Sequence, residues 1–449
     1  MMRVALLNVV GLTAPLLDRM PKLRAFAAKA RVRSIIPAFP AVTCTAQSNY
    51  LTGLTPAEHG IVGNGWYDRE LAEVHFWKQS NRLVQGKKVW EELREIRPGF
   101  TCANLFWWYN MYSTVDYSIT PRPMYPADGR KFFDVYTAPF SIRHEIKKDL
   151  GEFPFRNFWG PGAGIGSSRW IAESAKWIEE RQHPDLTLIY LPHLDYNLQK
   201  LGPNHPAIAD DLVQLDTLVS DLITYLQERG IAIAIVSEYG ITEVDRPIHL
   251  NRIFREQGWI AIKDELGLEM IDCGASKVFA VADHQVAQIY VADPALARRA
   301  REVVEAQPGV CAVVDQIHRR SGDFIAVADE RSWFTYYYWV DDTVAPDFAR
   351  TVDIHRKIGY DPVELFIDPA IKFPALNVAS FLLKKKLGIR GLLSVIPLDP
   401  KLVRGSHGRV PERGEDRPIL IVGEELEGVG SELSSTGVYG VIKQLCLAD

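Results

Sequence analysis

The sequence has few cysteines and no long apolar stretch. Its five cysteines are an odd number and are scattered along 449 residues without CxxC spacing, so we expect free thiols in a reducing cytoplasm. No run of 18 uncharged apolar residues occurs, which argues against a membrane-spanning helix. The first residues lack the apolar core and the cleavage site of a secretory signal, and they predict a buried strand instead.

The sequence also has no excess of basic residues, and its net charge is −5. A general nucleic-acid-binding protein would carry a basic surface, so the composition argues against that class. A phosphorylated small molecule remains possible as a partner, since a metal or a basic pocket inverts the field locally. Hydrophobic residues make up 47% of the chain, which suffices for the core of a large α/β domain.

Short apolar runs alternate with amphipathic stretches along the chain. Residues 3–10, 186–191 and 231–236 predict strands that are covered on both faces, as in a parallel sheet. Leucines recur every three or four residues within 210–230, which predicts an amphipathic helix between two of these strands. Strand, helix and strand form the right-handed crossover unit of such a sheet. Residues 416–424 predict one more buried strand.

Two segments are predicted to lie outside this sheet. Residues 96–160 are rich in aromatic residues, proline and glycine, and predict a long structured excursion across the surface. Residues 250–350 show a strand, helix, strand order that predicts an inserted α+β cap, which leaves 1–249 and 351–449 as the catalytic core. Alternation in the cap predicts a strand with one buried side, formed by Trp333, Thr335, Tyr337 and Trp339.

The most informative motif of the chain lies between residues 37 and 70. A single threonine such as Thr43 before a helix is usually only an N-cap. A helix N-terminus also binds anions, because its free N–H groups and positive dipole end face the ligand. A hydroxyl there is well placed to attack phosphorus if its pKa is lowered. The motif continues with Thr52-Gly53-Leu54, with Pro56, His59, Gly60 and Ile61, and with Asn64.

This pattern resembles the nucleotide pyrophosphatase/phosphodiesterase branch of the alkaline phosphatase superfamily. The resemblance implies a three-layer α/β/α fold with a mostly parallel central sheet and a small α+β cap. It implies that Thr43 is the nucleophile and that Asn64 stabilises the developing phosphoryl oxygen. Further similarities to the family's motifs are Asp195 before Gly202-Pro203, the run 237–240, and the run 405–408 around His407.

The metal ligands that the resemblance implies have changed at several positions. The family holds two zinc ions with aspartates, histidines and the nucleophile. One ion would here receive Asp195, Gln199 and His407, and the other would receive Asn8, Thr43, Glu238 and Tyr239. Amides and neutral phenols are weak zinc ligands, so two zinc ions at these places would be under-coordinated.

Three explanations of these changes are open. The site holds a harder divalent ion such as Mg²⁺ or Mn²⁺, which accepts amide and carboxylate oxygens. Alternatively, other side chains have become ligands, and the candidates are His193, His249, Asp283, His284, Asp353 and His355. Of these, His193 would point the same way as Asp195 on an extended backbone. In the third explanation the metal has been lost.

The sequence therefore predicts a cytoplasmic, metal-dependent hydrolase of a phosphodiester, a pyrophosphate or a related phosphorylated small molecule. The aromatic residues Trp107, Trp108 and Tyr109 are predicted to line its pocket, although such clusters often serve only packing. One alternative is a descendant that binds a ligand or partner without hydrolysis, because the fold does not fix the function. Another is a phosphonate hydrolase or a phosphoryl transferase.

Overall fold

The computed structural model describes residues 2–128, 130–423, 426 and 428–448. Its centre is a nine-stranded sheet with the order Glu432–Ser434, Arg31–Ile36, Ile419–Val422, Ile231–Val236, Arg3–Val9, Leu186–Leu191, Cys102–Leu105, Tyr117–Pro121 and Val135–Ala138. Two strands, Ile419–Val422 and Val135–Ala138, run antiparallel to their neighbours, and the other pairs are parallel. The predicted mostly parallel sheet is confirmed.

The three apolar runs recognised in the sequence are adjacent strands in the middle of this sheet. Arg3–Val9 lies between Leu186–Leu191 and Ile231–Val236, with Asn8 opposite Tyr190 on one side and Val236 on the other. Because parallel strands end at the same edge of a sheet, Asn8 and the residues that follow the other two strands meet there. This edge carries the candidate site.

Helices cover both faces of the sheet and complete the predicted three layers. The helices of one group pack against one another, and they are Pro21–Ala27, Ser141–Leu150, Ile165–Gln182, His193–Leu201 and Ile208–Gln227. A second group consists of Thr43–Thr52, Pro56–His59, Val89–Ile96 and Gly437–Leu447. The leucines at three- and four-residue spacing lie on the helix Ile208–Gln227, and its buried face includes Leu212, Leu215, Leu222 and Leu226.

The cap contains an antiparallel four-stranded sheet with the order Val278–Asp283, Val286–Val291, Phe324–Ala328 and Val310–Asp315. The helix Ala297–Glu305 packs against this sheet, so the predicted α+β character is confirmed. The cap has its own apolar cluster, which includes Phe254, Val278, Ile289 and Phe324. Its boundaries at 250 and 350 stay a prediction.

Shorter elements complete the described chain. The α-helices among them are Ala14–Leu17, Leu250–Glu256 and Pro374–Lys386. The strand pairs are Gly65–Asp68 with Glu73–Phe76, Thr242–Glu243 with Gly405–Ser406, Arg246–Ile248 with Ser332–Phe334, and Ala261–Glu265 with Leu268–Asp272. Among the described residues, no helix has both the length and the apolar character needed to cross a bilayer.

Two predictions about aromatic segments were wrong. Residues 96–160 do not form a surface excursion, because they supply three strands of the central sheet and place Phe106 and Trp107 in the main core. The predicted alternating strand over 333–342 extends only from Ser332 to Phe334. All residues from Trp333 to Trp339 are buried, so the segment is covered on all sides and has no solvent-facing side. The five cysteines are free, as predicted.

Candidate active site

Thr43 is the first residue of the helix Thr43–Thr52 at the edge of the central sheet. The residue before it, Val42, has an extended backbone, and the hydroxyl of Thr45 donates to the Val42 carbonyl at 2.8 Å. These features fix the start of the helix directly before Thr43. The helix ends at Gly53, whose left-handed φ of 71° is a conformation that glycine adopts without strain. The Thr43 side chain is therefore held at a helix N-terminus.

A chain of hydrogen bonds leads away from the Thr43 hydroxyl. Thr43 Oγ1 lies 3.1 Å from the hydroxyl oxygen of Tyr239, and that hydroxyl donates to Asp195 Oδ1 at 3.0 Å. Because the Tyr239 proton is directed to Asp195, Thr43 is the donor in the first bond. Asp195 Oδ2 accepts from the amide of Gln199 at 2.8 Å, and the Gln199 oxygen accepts from Tyr360 at 2.9 Å.

A second buried network lies beside the first. Glu238 Oε1 accepts from the side-chain amides of Asn8 and Gln47, each at 2.6 Å. Glu238 Oε2 and Asn8 Oδ1 have no hydrogen-bond partner in the described part of the chain. Burial raises the pKa of Glu238 to about 8, although both amide donors act to lower it. The same cause raises the pKa of Asp195 to about 7.

Asn64 lies beside the helix start, and the cap holds it there. Asn64 Oδ1 accepts from the backbone N–H of Cys44 at 3.1 Å. Asp283 accepts from the backbone N–H of Asn64 at 2.7 Å and from its side-chain amide at 3.1 Å. One amide N–H of Asn64 is thus bound to Asp283, and the role of Asn64 towards a phosphoryl oxygen stays a prediction.

Two neutral imidazoles lie on the other side of Tyr239. The His407 ring stacks on the Tyr239 ring at a centroid distance of 3.5 Å, and the His284 ring lies 3.8 Å from His407. Burial holds the pKa of both histidines well below the ordinary range. His407 Nδ1 donates to the Ala41 carbonyl at 2.8 Å, while its Nε2 has no partner among the described residues.

The side chains at the expected ligand positions do not fit two zinc ions. Tyr239 bridges Thr43 and Asp195 through its hydroxyl, and the amides of Asn8 and Gln199 donate to the carboxylates beside them. An amide coordinates a cation only through its oxygen, and the Gln199 oxygen already accepts from Tyr360, while a neutral phenol is a weak ligand. Across residues 2–448 with their gaps, no group of three or more His, Cys, Asp or Glu side chains is arranged to hold a metal ion.

Two of the substitute ligands considered from the sequence, His193 and His249, are engaged elsewhere, whereas Asp283 and His284 lie beside Asn64 and His407. His193 and Asp195 lie on the helix His193–Leu201 rather than on extended backbone, so they point to different sides, and His193 Nε2 lies 3.3 Å from Asp211. His249 Nδ1 lies 2.7 Å from Thr335 Oγ1.

Asp353 and His355 also form contacts away from Thr43. Asp353 uses its backbone N–H to donate to Glu364. The imidazole Nδ1 of His355 lies 3.2 Å from the carbonyl oxygen of Phe76. A metal-binding role for either residue stays a prediction that these contacts do not support.

The three aromatic residues of the predicted pocket have different surroundings. Trp107 is fully buried in the main core and packs edge-on against Tyr50. Trp108 and Tyr109 belong to a small apolar cluster with Cys44, next to Thr43, and the Trp108 ring packs on Trp77 at 4.7 Å. A substrate-binding role stays a prediction, and the position next to Thr43 supports it only for Trp108 and Tyr109.

Two residues of the site were missed in the sequence. Gln47 donates to Glu238 and accepts from the backbone N–H of Trp108 at 2.7 Å. It lies four residues after Thr43, on the same face of the helix, and this spacing was the available signal. Tyr360 extends the hydrogen-bond chain beyond Gln199, and its ring stacks on His284. No sequence pattern links Tyr360 to the site, because only the fold brings it there.

Comparisons with known proteins show the family and the fold of this chain. The sequence profile described as type I phosphodiesterase / nucleotide pyrophosphatase matches residues 4–361. The chain belongs to this type I phosphodiesterase / nucleotide pyrophosphatase family.

Two curated relatives share the family description. An uncharacterized pyrophosphatase/phosphodiesterase of Schizosaccharomyces pombe is 25% identical over 234 residues, which are 49% of this chain and 40% of the relative. Ectonucleotide pyrophosphatase/phosphodiesterase 1 of Saccharomyces cerevisiae is 22% identical over 237 residues, which are 47% of this chain and 29% of the relative. The chain therefore spans less than half the length of either relative.

Solved structures with the same fold cover nearly the whole chain. An inactive variant of murine ectonucleotide pyrophosphatase/phosphodiesterase 5 in complex with AMP has a TM-score of 0.58 at 15% identity, over 100% of this chain and 96% of that protein. Phosphonoacetate hydrolase from Sinorhizobium meliloti 1021 in complex with phosphonoformate has a TM-score of 0.62 at 13% identity, over 99% and 96%. The alkaline-phosphatase-like fold predicted from the motifs is confirmed.

Proposed function

We propose that this chain hydrolyses a phosphodiester, a pyrophosphate or a related phosphorylated small molecule, with Thr43 as the nucleophile and without the two zinc ions of the family. The observation that carries the proposal is the hydrogen-bond chain from Thr43 through Tyr239 to Asp195. It connects a hydroxyl at a helix N-terminus to a carboxylate that can accept its proton. Family membership supports the substrate class, as do the ligands of the solved neighbours, the phosphate ester AMP and the phosphonate phosphonoformate.

The proposed reaction needs only side chains of this chain and water. Thr43 Oγ1 forms the new bond to phosphorus while its proton passes to the Tyr239 oxygen and the Tyr239 proton passes to Asp195. The bond from phosphorus to the leaving oxygen breaks, and that oxygen takes a proton from water. The positive end of the helix dipole at Thr43 favours the negative charge on the phosphoryl oxygens. A second water then attacks the phosphothreonine and forms a bond to phosphorus while the bond from phosphorus to Thr43 Oγ1 breaks. That oxygen takes a proton from Tyr239, which recovers one from Asp195, and the attacking water loses a proton to the hydroxide that the first step left.

A pKa near 7 suits Asp195 for this role. Burial raises its pKa to about 7, so a sizeable fraction of the group is ionised at neutral pH and can accept a proton. A base is most effective when its pKa lies close to the working pH. Tyr239, whose own pKa burial raises well above the ordinary range, would relay the proton rather than ionise.

A second candidate is a protein that binds a phosphorylated ligand without cleaving it. The burial of the site favours this candidate, because Thr43, Asn64 and Tyr239 are exposed by only 3%, 1% and 2%. A substrate can reach Thr43 only if the surrounding side chains move. A binding protein can take up its ligand slowly, whenever these side chains move apart. In a hydrolase the same movement must occur in every catalytic cycle.

Turnover of an aryl phosphodiester and of a dinucleotide pyrophosphate, with and without EDTA, tests the proposal. We expect aryl alcohol release that the chelator does not change, and a phosphorylated Thr43 peptide in acid-quenched samples. Thr43→Ala should lower kcat by at least about 10³-fold, because it removes the attacking oxygen. Tyr239→Phe should lower kcat by about 10²-fold, because it keeps the ring on His407 and interrupts the proton path.

The matched control is Tyr225→Phe, which removes a tyrosine hydroxyl that donates to Glu180 at 2.9 Å in another part of the fold. It should leave turnover unchanged. Activity that appears only with added metal would refute the metal-free mechanism, and activity that survives Thr43→Ala would refute the nucleophile. Binding of AMP at micromolar concentration without any turnover would support the second candidate instead.

A further inference from the structure

The helix Pro374–Lys386 carries an apolar stripe on its outer face. The stripe is formed by side chains three, four or seven residues apart that are 60 to 71% exposed, namely Phe373, Leu376, Leu383 and Leu387. The opposite face, with Val378 and Phe381, is only half-buried, and the helix has no fully buried residue. A surface helix of a soluble protein normally shows the reverse order, with polar residues outside.

The chain after the helix extends this apolar surface. Ile389 and Leu392 are each 55% exposed. We call residues 369–398 the basic apolar segment, because they contain no acidic residue and five basic ones: Lys372, Lys384, Lys385, Lys386 and Arg390. The whole chain has a net charge of −5, so this concentration of positive charge is local.

A second part of the chain joins the same surface. The Lys385 ammonium group donates to the Lys131 carbonyl at 2.7 Å and lies 5.5 Å above the Phe132 ring. Phe132 and Phe133 are 37% and 39% exposed, and Tyr125 is 58% exposed. Exposed aromatic rings and basic side chains thus continue the surface beyond the helix. Single exposed apolar residues are common, but a contiguous patch of this kind marks an interaction site.

We propose that the basic apolar segment binds to the surface of an anionic lipid bilayer. Helices that lie in the membrane interface combine exposed apolar side chains, which enter the acyl boundary, with lysine and arginine residues that contact anionic headgroups. Phenylalanine and tyrosine rings at 125–133 suit the headgroup level. Attachment through this segment places the protein on the membrane without a spanning helix.

The charge of the segment argues against a second copy of the chain as the occupant. A symmetric dimer brings the same patch of both subunits together. Five basic residues would then face five basic residues, with no acidic residue of the segment between them. Like charges across an interface cost free energy, whereas phosphate headgroups neutralise them.

Flotation of the full-length protein with lipid vesicles tests the proposal. We expect binding to vesicles of phosphatidylcholine with 30% phosphatidylglycerol and weaker binding to phosphatidylcholine alone. Binding should be lost at high salt, because dissolved ions screen charges beyond ~10 Å at 0.1 M and beyond shorter distances at higher concentration. Lys384→Gln with Lys386→Gln should reduce the partition coefficient about 30-fold. Each basic residue near an anionic surface raises this coefficient about fivefold, and the variant loses two of them. Leu383→Asp with Leu387→Asp should reduce it at least about 100-fold.

The matched control is Leu71→Asp with Val213→Asp, two apolar residues that are 63% and 62% exposed outside the segment. It should bind vesicles like the unchanged protein. Equal binding by the Leu383/Leu387 variant, or no binding of the unchanged protein to anionic vesicles, would overturn the proposal. The proposal would also be overturned if the unchanged protein did not bind vesicles but formed a dimer by light scattering, and if the Leu383/Leu387 variant were a monomer. That outcome would assign the surface to a second copy of the chain.

Discussion

The Tyr239 hydroxyl lies between an oxygen of Thr43 and an oxygen of Asp195, two residues that the family resemblance assigns to different metal ions. Its distances to Thr43 Oγ1 and Asp195 Oδ1 are 3.1 and 3.0 Å, which are ordinary hydrogen-bond lengths. The amides of Asn8 and Gln199 likewise provide protons where the carboxylates would otherwise face a metal. These replacements are mutually consistent, because each new donor meets an acceptor that the loss of a cation would leave unpaired.

Glu238 gives the site a measurable pH dependence of stability. Burial raises its pKa to about 8 in the folded state, far above the value of an exposed glutamic acid. The folded state therefore keeps the proton between about pH 4.5 and 8, while the unfolded chain releases it. This contribution to stability is complete below the unfolded pKa and is lost as the pH rises through 8, at a rate of at most about 1.4 kcal/mol per pH unit.

Glu238→Gln should remove this dependence. Glutamine can accept from Asn8 and Gln47 through its remaining oxygen, and it has no proton to release in this range. We expect the free energy of unfolding in urea to fall less between pH 5 and pH 8 for the variant than for the unchanged protein. Glu145→Gln, at an exposed position of the helix Ser141–Leu150, is the control and should keep the original slope. Identical slopes for all three proteins would contradict a proton on Glu238.

The strand Val278–Asp283 connects the cap to the edge of the central sheet that carries the candidate site. Its last residue, Asp283, accepts both hydrogen bonds from Asn64 and lies 2.8 Å from His284 Nδ1. Asn64 in turn accepts from the first turn of the helix that begins with Thr43. The cap therefore helps to position the start of that helix, and the position of Thr43, the proposed nucleophile, depends on contacts more than 200 residues apart in sequence.

Asp283→Ala tests this connection between elements. The substitution leaves the backbone N–H of Asn64 and its side-chain amide without their buried acceptor, which costs about 2–4 kcal/mol of stability. We expect a lower urea midpoint and, if the proposed hydrolase activity is present, a lower kcat. Asp264→Ala, in the exposed hairpin of the cap, should change neither value. An unchanged midpoint for Asp283→Ala would show that Asn64 does not depend on the cap.

The strands and helices that were predicted correctly are those whose hydrophobic pattern fits a single type of structure. Leu186–Leu191 and Ile231–Val236 are apolar throughout, and a parallel sheet with helices on both faces is the arrangement that buries them. The aromatic segments were predicted wrongly, because large rings pack in a core, an interface or a pocket with equal ease. Trp107 shows this, since it packs in the main core rather than along a pocket.

The sequence indicated which residues belong to the candidate site, but it did not indicate how they interact. Motif order singled out Thr43, Asn64, Asp195, Glu238, Tyr239 and His407 as candidates, and the fold brings them to one edge of the sheet, while their roles stay a prediction. Their pairing was not accessible from the sequence, because Tyr239 was considered as a poor metal ligand and not as a hydrogen-bond bridge. Gln47 and Tyr360 were missed for a related reason, since a neutral side chain carries no signal until its partner is known.

The chain has the fold of the solved neighbours, and we expect that the metal site implied by the family resemblance can be restored by substitution. Asn8→Asp, Gln199→His, Glu238→Asp and Tyr239→His together would replace the four residues that depart from the resemblance. The combination supplies carboxylates and imidazoles, which are the ligands that zinc prefers. We expect the combined variant to bind about two zinc ions per chain, as measured by elemental analysis after gel filtration, while the unchanged protein binds none.

The same variant should hydrolyse an aryl phosphodiester in a reaction that EDTA stops. Adding Thr43→Ala to it is the internal control, because this change removes both the nucleophile and one expected ligand, and it should abolish turnover and lower the zinc content. Stoichiometric zinc in the unchanged protein would contradict the conclusion that its side chains fit each other rather than an ion. Failure of the combined variant to bind zinc while it remains folded would show that the fold has diverged at the catalytic edge as well as in its side chains.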